Sequence, residues 1–496
     1  MQLADRLCEV FSLDPKAWAL EFEGLQYSWG ELGDIADAII GAIGKTGCQE
    51  HDVVGWAAQN SPSAVASLAA LVLSEHCIGI INPHMAAKIL TDELLTQRFP
   101  VIVGDQRFWT LPGIAAAAKE AGSAGIVLRW KGSTAAVAPY PGLEHVGAGP
   151  HRPPMPDVVL ERLSSGTTGP PKRSAQTLKS LMNALALGER KEAADKGPLR
   201  LKRSPSIIFR SLAHAGSFAV LLALYSARPI SLFEKFTAEA AIDAIRRHRP
   251  KVVSFVPTMI KMIWDAQVPV EDLSSVIAMR TGTAPLDPDL QARFEAKYGI
   301  PILVDYGATE FGGIAAWTLA DHKQYAAQKR GSVGRVVAGA HMRVVDPETR
   351  EEITDGRTGI LEVKVERRMD DWIPTTDLAS IDADGFLYIR GRADDAIVRG
   401  GFKVLPEEIN KVLRKHPDVF DVAVVGVADE RLGQVPVAVI EIRPGHAVPD
   451  EARLKAFARD HLTPYQVPVA FKFTEKLPRS PSMKIIRSEV LKMAQG

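Results

Sequence analysis

The spacing of apolar and polar positions gives the chain two distinct textures. Up to about residue 140, and again from residue 157 to about residue 330, amphipathic patterns alternate with short apolar runs rich in β-branched residues. Apolar positions three and four residues apart indicate helices that bury one face, and short unbroken apolar runs indicate buried strands. This alternation predicts parallel sheets covered by helices. The clearest segments are the predicted helices 31–43, 61–73, 115–121 and 238–248, and the predicted strands 101–103, 157–160, 207–208, 229–232, 252–256 and 302–304.

Residues 139–156 interrupt the first alternation. They contain six prolines and three glycines, a composition that predicts an exposed connector without helix or strand. After about residue 330, short strands joined by an Asp-Gly turn at Asp384 predict a small β-barrel or distorted sheet. From residue 394, helices at 406–416, at 450–461 and after Lys484, with strands at 422–427 and 435–442, predict one further unit.

The predicted fold class is therefore α/β with two bodies. Residues 1–393 form a large N-terminal domain of two α/β sheet subdomains plus a small β-barrel. Residues 394–496 form a mobile α+β C-terminal domain of roughly 100 residues, within the usual size range of a domain. Two bodies joined by one connection allow a cleft that opens and closes.

Composition and charge exclude several classes of protein. The chain has 496 residues, 46% of them apolar and 24% charged, as in ordinary globular proteins, which excludes disordered, collagen-like and coiled-coil chains. The 59 Lys and Arg balance the 59 Asp and Glu. A protein that coats nucleic acid or an anionic membrane needs a positive field, so neither partner is expected.

The cysteines and the N-terminus predict a cytoplasmic location. The three cysteines show no metal-ligand spacing and cannot form a disulfide framework. Asp5, Arg6 and Glu9 stand where a signal peptide needs its apolar region. The longest apolar stretches, 64–73 and 218–225, are shorter than the ~18 residues of a membrane span, so no span is expected.

A glycine-rich loop follows the predicted strand 157–160. Its glycines allow close backbone approach, and its hydroxyls, N–H groups and lysine can surround phosphate oxygens. The spacing does not match a Walker A loop, because Arg173 stands where that motif has a hydroxyl, and the loop lacks a G-x-S-x-G nucleophile elbow. A flexible surface loop is the alternative interpretation. The loop residues that we assign to phosphate binding are Ser164, Ser165, Gly166, Thr167, Thr168, Gly169 and Lys172.

This loop resembles the phosphate loop of the adenylate-forming (AMP-binding) superfamily, in its acyl- and aryl-CoA synthetase branch. Five further motifs resemble those of the family and follow in its order and spacing across almost the whole chain, which makes coincidence a poor explanation. They lie at residues 281–286, 305–310, 372–377, 391–409 and 477–484.

The resemblance implies an ATP site and assigns its residues. Lys484 and Lys172 would stabilise the charge that develops when a carboxylate attacks ATP, Thr309 would hydrogen-bond the α-phosphate, and Glu310 would bind Mg²⁺. These four are the predicted catalytic residues. The remaining predicted nucleotide contacts are Gly282, Thr283, Ala284, Asp305, Tyr306 and Gly307 around the adenine, with Asp377 and Arg392 at the ribose.

The resemblance also implies a hinge, an acceptor channel and an acyl pocket. Asp394 stands at the family's pivot position, and Gly400 and Gly401 would admit the thiol of coenzyme A. His214 and Gly307 would border the acyl pocket, although His214 could equally be a core residue. Residues 218–228 lack the aspartate that amino-acid-activating domains use, which favours an aryl or short-to-medium acyl acid as the small-molecule partner.

Some positions depart from the family pattern. Arg173 replaces a glycine after the loop lysine. Gln466 and Val469 stand where relatives usually carry lysines, and Leu432 where one aryl-CoA ligase group has tryptophan. Weak contacts to the CoA nucleotide, or a different acceptor, therefore stay open.

The predicted function is an ATP-dependent carboxylic acid-CoA ligase that uses ATP, Mg²⁺ and coenzyme A. The alternatives are an adenylating enzyme that loads a carrier protein and a non-catalytic nucleotide-binding relative; a homodimer is also left open. Residues 472–496 carry six Lys or Arg against two Glu. We expect this local excess of positive charge to face the nucleotide.

Overall fold

The computed structural model of this chain describes residues 3–131, 134–163, 173–192, 198–308, 311–366, 371–480 and 483–496. Their contacts divide the chain into two compact units. The described residues of the first unit are those up to 163, then 173–253 and 266–276; those of the second are 254–265 and all from 277 onwards. This division differs from the predicted boundary at Asp394, which stays a prediction.

The first unit alternates helices and strands, as its apolar pattern predicts. The helices are α1 (Leu3–Leu13), α2 (Trp29–Gly44), α3 (Pro62–Leu73), α4 (Ala87–Gln97), α5 (Gln106–Trp109), α6 (Ile114–Ala121), α7 (Leu178–Glu192), α8 (Ser217–Tyr225) and α9 (Ala238–His248). The strands are β1 (Trp18–Phe22), β2 (Leu25–Ser28), β3 (Val53–Ala57), β4 (Cys77–Ile81), β5 (Val101–Asp105), β6 (Ala124–Lys131), β7 (Thr134–Pro139), β8 (Val158–Leu163), β9 (Arg173–Thr177), β10 (Ser206–Ile208) and β11 (Ile230–Leu232). The division between the two units falls within the next strand, β12 (Val252–Ser254).

The larger sheet of this unit has the strand order β7-β6-β5-β3-β4-β8-β9. Its inner pairs are parallel, whereas the outermost pairs, β6 with β7 and β8 with β9, are antiparallel. All five residues of β3 and of β4 are buried, as expected for parallel strands covered on both faces. A second sheet has the order β10-β11-β1-β2. The predicted parallel sheets are confirmed. The connector predicted at residues 139–156 is confirmed except at Pro139, which ends β7, and residues 140–157 form neither helix nor strand.

The second unit is richer in antiparallel strands. Its helices are α10 (Pro257–Asp265), α11 (Pro288–Tyr298), α12 (Leu319–Tyr325), α13 (Pro406–Leu413), α14 (Glu451–His461) and α15 (Arg487–Gln495). Its strands are β13 (Ala278–Thr281), β14 (Ile302–Ala308), β15 (Gly312–Ala316), β16 (Arg335–Val336), β17 (Ala340–Val345), β18 (Gly359–Val365), β19 (Ile373–Ile381), β20 (Leu387–Arg392), β21 (Ile397–Arg399), β22 (Phe402–Val404), β23 (Val419–Asp429), β24 (Gly433–Ile442) and β25 (Ala470–Thr474).

Strands β17 to β20 form an antiparallel sheet in chain order. The sequence predicts a small barrel here. Among the described residues the strands instead form an open sheet, in which β17 pairs only with β18 and β20 only with β19, and an isolated bridge between Arg335 and Phe386 adjoins the β20 side. The register shifts within β18–β19 and β19–β20 bend the strands, as bulges do.

The last sheet has the order β22-β21-β24-β23, and β25 pairs parallel with β24. Helices α13 and α14 pack against this sheet around one apolar core. The predicted helix 406–416 is shorter in the structure and ends at Leu413, since Pro417 disfavours helical geometry at His416. None of the described helices is both long and apolar enough to traverse a membrane.

Candidate active site

The first two nucleotide motifs meet at the carboxyl ends of β13 and β14. These strands pair in parallel, with Thr281 opposite Val304, so the residues that follow each strand emerge side by side. A Cβ atom on Gly282 would lie 2.2 Å from Asp305 Oδ1, so this packing requires glycine. Thr283 follows in the left-handed region with a φ of 71°. The structure thus brings together the motifs that the sequence assigns to the adenine.

Gly307 has a packing role of its own. A Cβ atom there would lie 2.2 Å from the carbonyl oxygen of Gly312 on the neighbouring strand β15. Strands β14 and β15 therefore approach closely because residue 307 is glycine. The predicted role of Gly307 at the acyl pocket stays a prediction.

Tyr306 is joined to Asp377, the predicted ribose ligand. The Tyr306 hydroxyl donates to Asp377 Oδ2 at 2.5 Å. Burial raises the pKa of the Tyr306 phenol far above its usual value, and the negative charge of Asp377 adds to the effect. The phenol therefore stays protonated and keeps one carboxylate oxygen of Asp377 in a fixed position.

Asp377 and Arg392, the two predicted ribose contacts, face each other across strands β19 and β20. The backbone of Asp377 is also held locally, because its N–H donates to Thr375 Oγ1 at 3.1 Å while the Thr375 hydroxyl donates to the Leu361 carbonyl oxygen at 2.9 Å. Opposed residues on antiparallel strands lie close enough for their side chains to share one ligand. The structure thus places a carboxylate and a guanidinium next to Tyr306.

Arg392 also binds the predicted hinge residue. Its Nε and Nη2 donate to Asp394 at 2.9 and 2.6 Å, the two-point geometry that suits a guanidinium and a carboxylate. These hydrogen bonds raise the pKa of Arg392 and lower that of Asp394. Asp395 pairs instead with Arg487 of α15 at 2.5 Å, and burial raises its pKa. The predicted hinge residue and its neighbour Asp395 thus each form an ion pair.

Gly400 and Gly401 form the tight turn between β21 and β22. Their φ values are 55° and 89°, and positive φ at both central residues is what a type I′ hairpin turn requires. The Gly400 N–H donates to the Leu432 carbonyl oxygen at 2.8 Å. The ring of Phe402, which is 56% exposed, stacks on Tyr465 with centroids 4.8 Å apart. Access of a thiol through this turn stays a prediction.

Two hydrogen bonds join Lys484 to Ser480. The Ser480 N–H donates to the Lys484 carbonyl oxygen at 2.7 Å, and the Lys484 N–H donates to Ser480 Oγ at 3.2 Å. Met483 has a φ of 64°, a backbone conformation that glycine adopts most readily. Convergence of the Lys484 ammonium on the nucleotide stays a prediction.

The excess of positive charge in residues 472–496 is partly neutralised. Arg479, whose side chain is 7% exposed, pairs with Asp421 at 2.5 Å and with Glu441 at 3.4 Å. Arg487 pairs with Asp395, as described above. We therefore expect a weaker field at the nucleotide than the count of basic residues suggests.

Residues 9–368 match the family model of the AMP-binding enzyme. Residues 408–484 match the family model of the AMP-binding enzyme C-terminal domain. The first match covers more than half of the chain. The chain belongs to the AMP-binding enzyme family. Arg392 and Asp394 lie in the interval between the two matched regions.

The curated relatives of this AMP-binding enzyme include plant CoA ligases. 4-Coumarate-CoA ligase 3 of Oryza sativa subsp. japonica is 32% identical over 354 residues, which cover 67% of this chain and 63% of that protein. 4-Coumarate-CoA ligase 2 of Petroselinum crispum is 31% identical over 363 residues, which cover 68% of this chain and 66% of that protein. The match therefore spans less than two thirds of the length of each relative.

Solved structures share the fold along the whole chain. ATP-bound MatB from Rhodopseudomonas palustris has a TM-score of 0.81 and 24% identity, with 99% of each chain covered. The anthranilate CoA ligase AuaEII, in complex with anthranoyl-AMP, has a TM-score of 0.81 and 22% identity, with 100% of this chain and 97% of that chain covered. These likenesses confirm the predicted α/β fold with an α+β C-terminal part, whereas the predicted barrel is an open sheet, as described above.

His214 lies in the first unit, in the turn at Leu212–Gly216, where its φ of −128° and ψ of −123° depart from helical geometry. The sequence analysis does not identify Asn60, whose buried side chain fixes this turn. Asn60 Oδ1 accepts from the Leu212 N–H at 2.8 Å, and Nδ2 donates to the carbonyl oxygens of Arg210 and Phe233 at 3.1 and 2.9 Å. Because these partners lie about 150 residues or more away, local patterning gives no indication of this role.

Several predicted site residues lie outside the described part of the chain, and their roles stay predictions. Among the residues that the structure does describe, no three His, Cys, Asp or Glu side chains come together as a metal site. Ala284 is described and half-buried, next to the exposed Thr283. The predicted residues outside the described ranges are Ser164, Ser165, Gly166, Thr167, Thr168, Gly169, Lys172, Thr309 and Glu310.

Proposed function

We propose that this AMP-binding enzyme is an ATP-dependent carboxylic acid-CoA ligase. It would form an acyl-AMP and pyrophosphate, and then transfer the acyl group to coenzyme A. The arrangement of Tyr306, Asp377 and Arg392 carries the proposal, because it presents a fixed carboxylate and a cation as a ribose would need them. The names of the curated relatives, which are CoA ligases, support the same activity.

The first half-reaction sets the chemical requirements. A carboxylate oxygen must attack the α-phosphorus of ATP in line with the leaving pyrophosphate, although both reactants are negative. Lys484 would supply the positive charge where the two meet, and the loop that ends at Lys172 would hold the pyrophosphate. Asp377 would accept the ribose hydroxyls and so fix the α-phosphate relative to the acid.

The second half-reaction needs the thiol of coenzyme A at the place where the first half-reaction needs Lys484. We propose that residues 394–496 rotate about Asp394, so that Lys484 leaves and the Gly400-Gly401 turn arrives. A turn with two glycines leaves room for the narrow pantetheine arm of coenzyme A. The thiol sulfur would then attack the acyl carbonyl carbon, and AMP would leave.

The acid is proposed to be aryl or short-to-medium acyl. The relatives named 4-coumarate-CoA ligases support an aromatic acid, and residues 218–228 lack a carboxylate to bind an amino-acid ammonium. His214 would line the pocket. A cytoplasmic location and a homodimer stay predictions.

Mg²⁺ fits this site as an ion that arrives with the nucleotide. It is usually bound through one or two carboxylates and the substrate phosphates. A cluster of three protein ligands, which the described residues lack, is not needed. Glu310 would be the carboxylate ligand. Bound Mg²⁺ would neutralise phosphate charge.

Transfer to a carrier protein is the second candidate function, and one observation favours it. Gln466, at a position where relatives usually carry lysine, donates to Glu408 Oε2 at 2.7 Å. An amide paired with a carboxylate offers no cation to the 3′-phosphate of coenzyme A. A carrier protein presents its pantetheine arm without that nucleotide.

Pyrophosphate release over a panel of carboxylic acids tests the proposal. We expect release that depends on ATP and on one class of acid, followed by a CoA thioester. Release without a CoA thioester would favour carrier loading. No release with any acid would favour a non-catalytic nucleotide-binding relative.

A further inference from the structure

The two strands that flank the predicted phosphate loop form an antiparallel pair. Strand β8 ends at Leu163 and β9 begins at Arg173, and these two residues lie opposite each other in the register. The positions of the loop ends are therefore set by β8 and β9. Anything that fixes Arg173 also fixes the point where the loop returns to the sheet.

Arg173 is held on several sides although it is a buried cation, with a side chain that is only 11% exposed. Its Nη2 donates to Glu93 Oε1 and to the carbonyl oxygen of Ile80, the latter at 2.8 Å. Its Nη1 lies 3.6 Å from Glu161 Oε2. Because burial removes the solvation of a charge, such a guanidinium is retained only with partners like these. It ties β9 to β4, to β8 and to helix α4.

The ring of Phe99 supports this cluster. The guanidinium carbons of Arg173 and Arg152 each lie 5.3 Å from the ring centroid, within the range of cation–π attraction. The ring fits because Gly55 and Gly79 carry no side chain: a Cβ atom there would lie 2.9 and 2.4 Å from ring atoms. Strands β3 and β4 thus leave space for an aromatic platform under Arg173.

Arg152 belongs to the same cluster as Arg173 but does not adjoin the phosphate loop. Its Nη1 lies 2.9 Å from Glu161 Oε2 and its Nη2 donates to Glu161 Oε1 at 2.9 Å. It belongs to the connector before β8 and is part of neither flanking strand. Arg152 and Arg173 therefore contact the same carboxylate and the same ring, and differ in their connection to the phosphate loop.

We propose that Arg173 is a positioning residue that anchors the C-terminal end of the phosphate loop for the β- and γ-phosphates of ATP. This inference rests on the proposed function for the identity of the ligand. The family pattern has glycine at this position, so the ion-paired anchor is a property of this chain. Arg173 acts through the loop and is not assigned a contact with phosphate.

Two double variants with equal charge balance test the inference. Arg173→Met with Glu93→Gln removes the anchor, and Arg246→Met with Asp272→Asn removes a two-point ion pair of the same unit that Arg173 does not contact. Dissociation constants are measured by calorimetry for ATP, pyrophosphate and AMP. Thermal unfolding shows whether each variant is folded.

We expect the first variant to bind ATP and pyrophosphate about tenfold more weakly. Its affinity for AMP should change less than about twofold, because Asp377 and Tyr306 are untouched. The matched variant should keep all three constants within about twofold. Equal loss of AMP and ATP affinity, or equal effects of the two variants, would overturn the proposal.

Two conservative single variants keep the test decisive where a double variant does not fold. Arg173→Lys keeps the charge but loses the planar fork, so it should weaken ATP binding by about threefold and leave AMP binding unchanged. Arg152→Lys should change neither, and the opposite ranking would overturn the proposal. Because binding needs no turnover, ATP binding without pyrophosphate release would contradict the proposed function and leave this inference standing.

Discussion

Arg392 and Asp394 form a two-point ion pair, with Arg392 Nε donating to Oδ1 at 2.9 Å and Nη2 to Oδ2 at 2.6 Å. One of these residues is the predicted ribose contact and the other the predicted hinge. A rotation about Asp394 would therefore move a carboxylate that is bound to the predicted ribose contact Arg392. Nucleotide contact and domain position are expected to be linked through this pair.

Replacement of Asp394 by proline should separate the two half-reactions. Proline restricts the backbone at the pivot, so we expect pyrophosphate release to be retained and thioester formation to be lost. Both products are measured in the same reaction with quantified CoA thioester. Asp394→Asn, which removes the ion pair but leaves the backbone free to rotate, should retain both steps. Equal loss of both activities in the proline variant would contradict the hinge.

Loss of the Tyr306 hydroxyl should weaken nucleotide binding. Tyr306→Phe keeps the ring but leaves Asp377 Oδ2 without its donor. Because a hydrogen bond to a charged group contributes roughly 1.5–3 kcal/mol, the affinity for ATP should fall about tenfold or more. Calorimetry with ATP and with AMP measures the change, which should be the same for both.

Tyr388 provides the matched control for this change. Its hydroxyl donates to Asp382 Oδ2 at 3.3 Å on the same sheet, a similar phenol–carboxylate contact that no motif assigns to the nucleotide. Tyr388→Phe should leave the affinity for ATP unchanged. A similar loss in both variants would show that the sheet, and not the ribose contact, is affected.

A methyl group at Gly282 should displace the residues that are predicted to surround the adenine. In Gly282→Ala the new Cβ would lie 2.2 Å from Asp305 Oδ1, so the backbone at residue 282 or the Asp305 carboxylate must move. We expect a large rise in the KM for ATP, with the KM for the acid less affected. Gly313→Ala, where a Cβ meets no atom within 4 Å, serves as the control, and an equal rise there would refute the explanation.

The pH dependence of stability should report on Asp421. Burial by itself would raise its pKa, but Arg414 and Arg479 outweigh this and lower the pKa of Asp421 below its usual value. A lowered pKa in the folded state stabilises the fold above the unfolded value of about 3.9, and this contribution is lost as the pH falls through the folded pKa. Asp421→Asn should therefore lower the free energy of unfolding by about 3–5 kcal/mol at neutral pH.

Urea unfolding of the original protein and of Asp421→Asn between pH 8 and pH 5 measures the difference in their free energies of unfolding. This pH range lies above the pKa of Asp421 in both the folded and the unfolded state. The difference should stay constant across it. A difference that already shrinks between pH 7 and pH 5 would contradict the lowered pKa. Asp418→Asn should cause a smaller loss, because the Asp418 side chain is 26% exposed against 14% for Asp421.

The fold is largely predictable because its elements are encoded locally. Helix α9 coincides with its prediction at residues 238–248, since Thr237 caps it and its apolar face repeats at helical spacing. The barrel prediction is less accurate. Turn residues indicate which strands are neighbours, whereas closure depends on the bulges between β18, β19 and β20, which no short pattern specifies.

The site is predictable where a motif keeps its spacing and not where the partner is distant in sequence. Tyr306 and Asp377 are recognised separately, but their hydrogen bond joins residues 71 positions apart. The sequence marks Arg173 only as a departure from glycine, and its partner Glu93 lies 80 residues away. Such pairs become visible only when the sheet brings their strands together.

The products of one complete reaction test the central claim most directly. Purified protein with ATP, Mg²⁺, coenzyme A and a panel of aryl and acyl acids is assayed at once for pyrophosphate, AMP and CoA thioester. We expect the three products in equal amounts with at least one acid, and none when the acid is left out. Pyrophosphate without thioester, or no product with any acid, would contradict the assignment as an acid-CoA ligase.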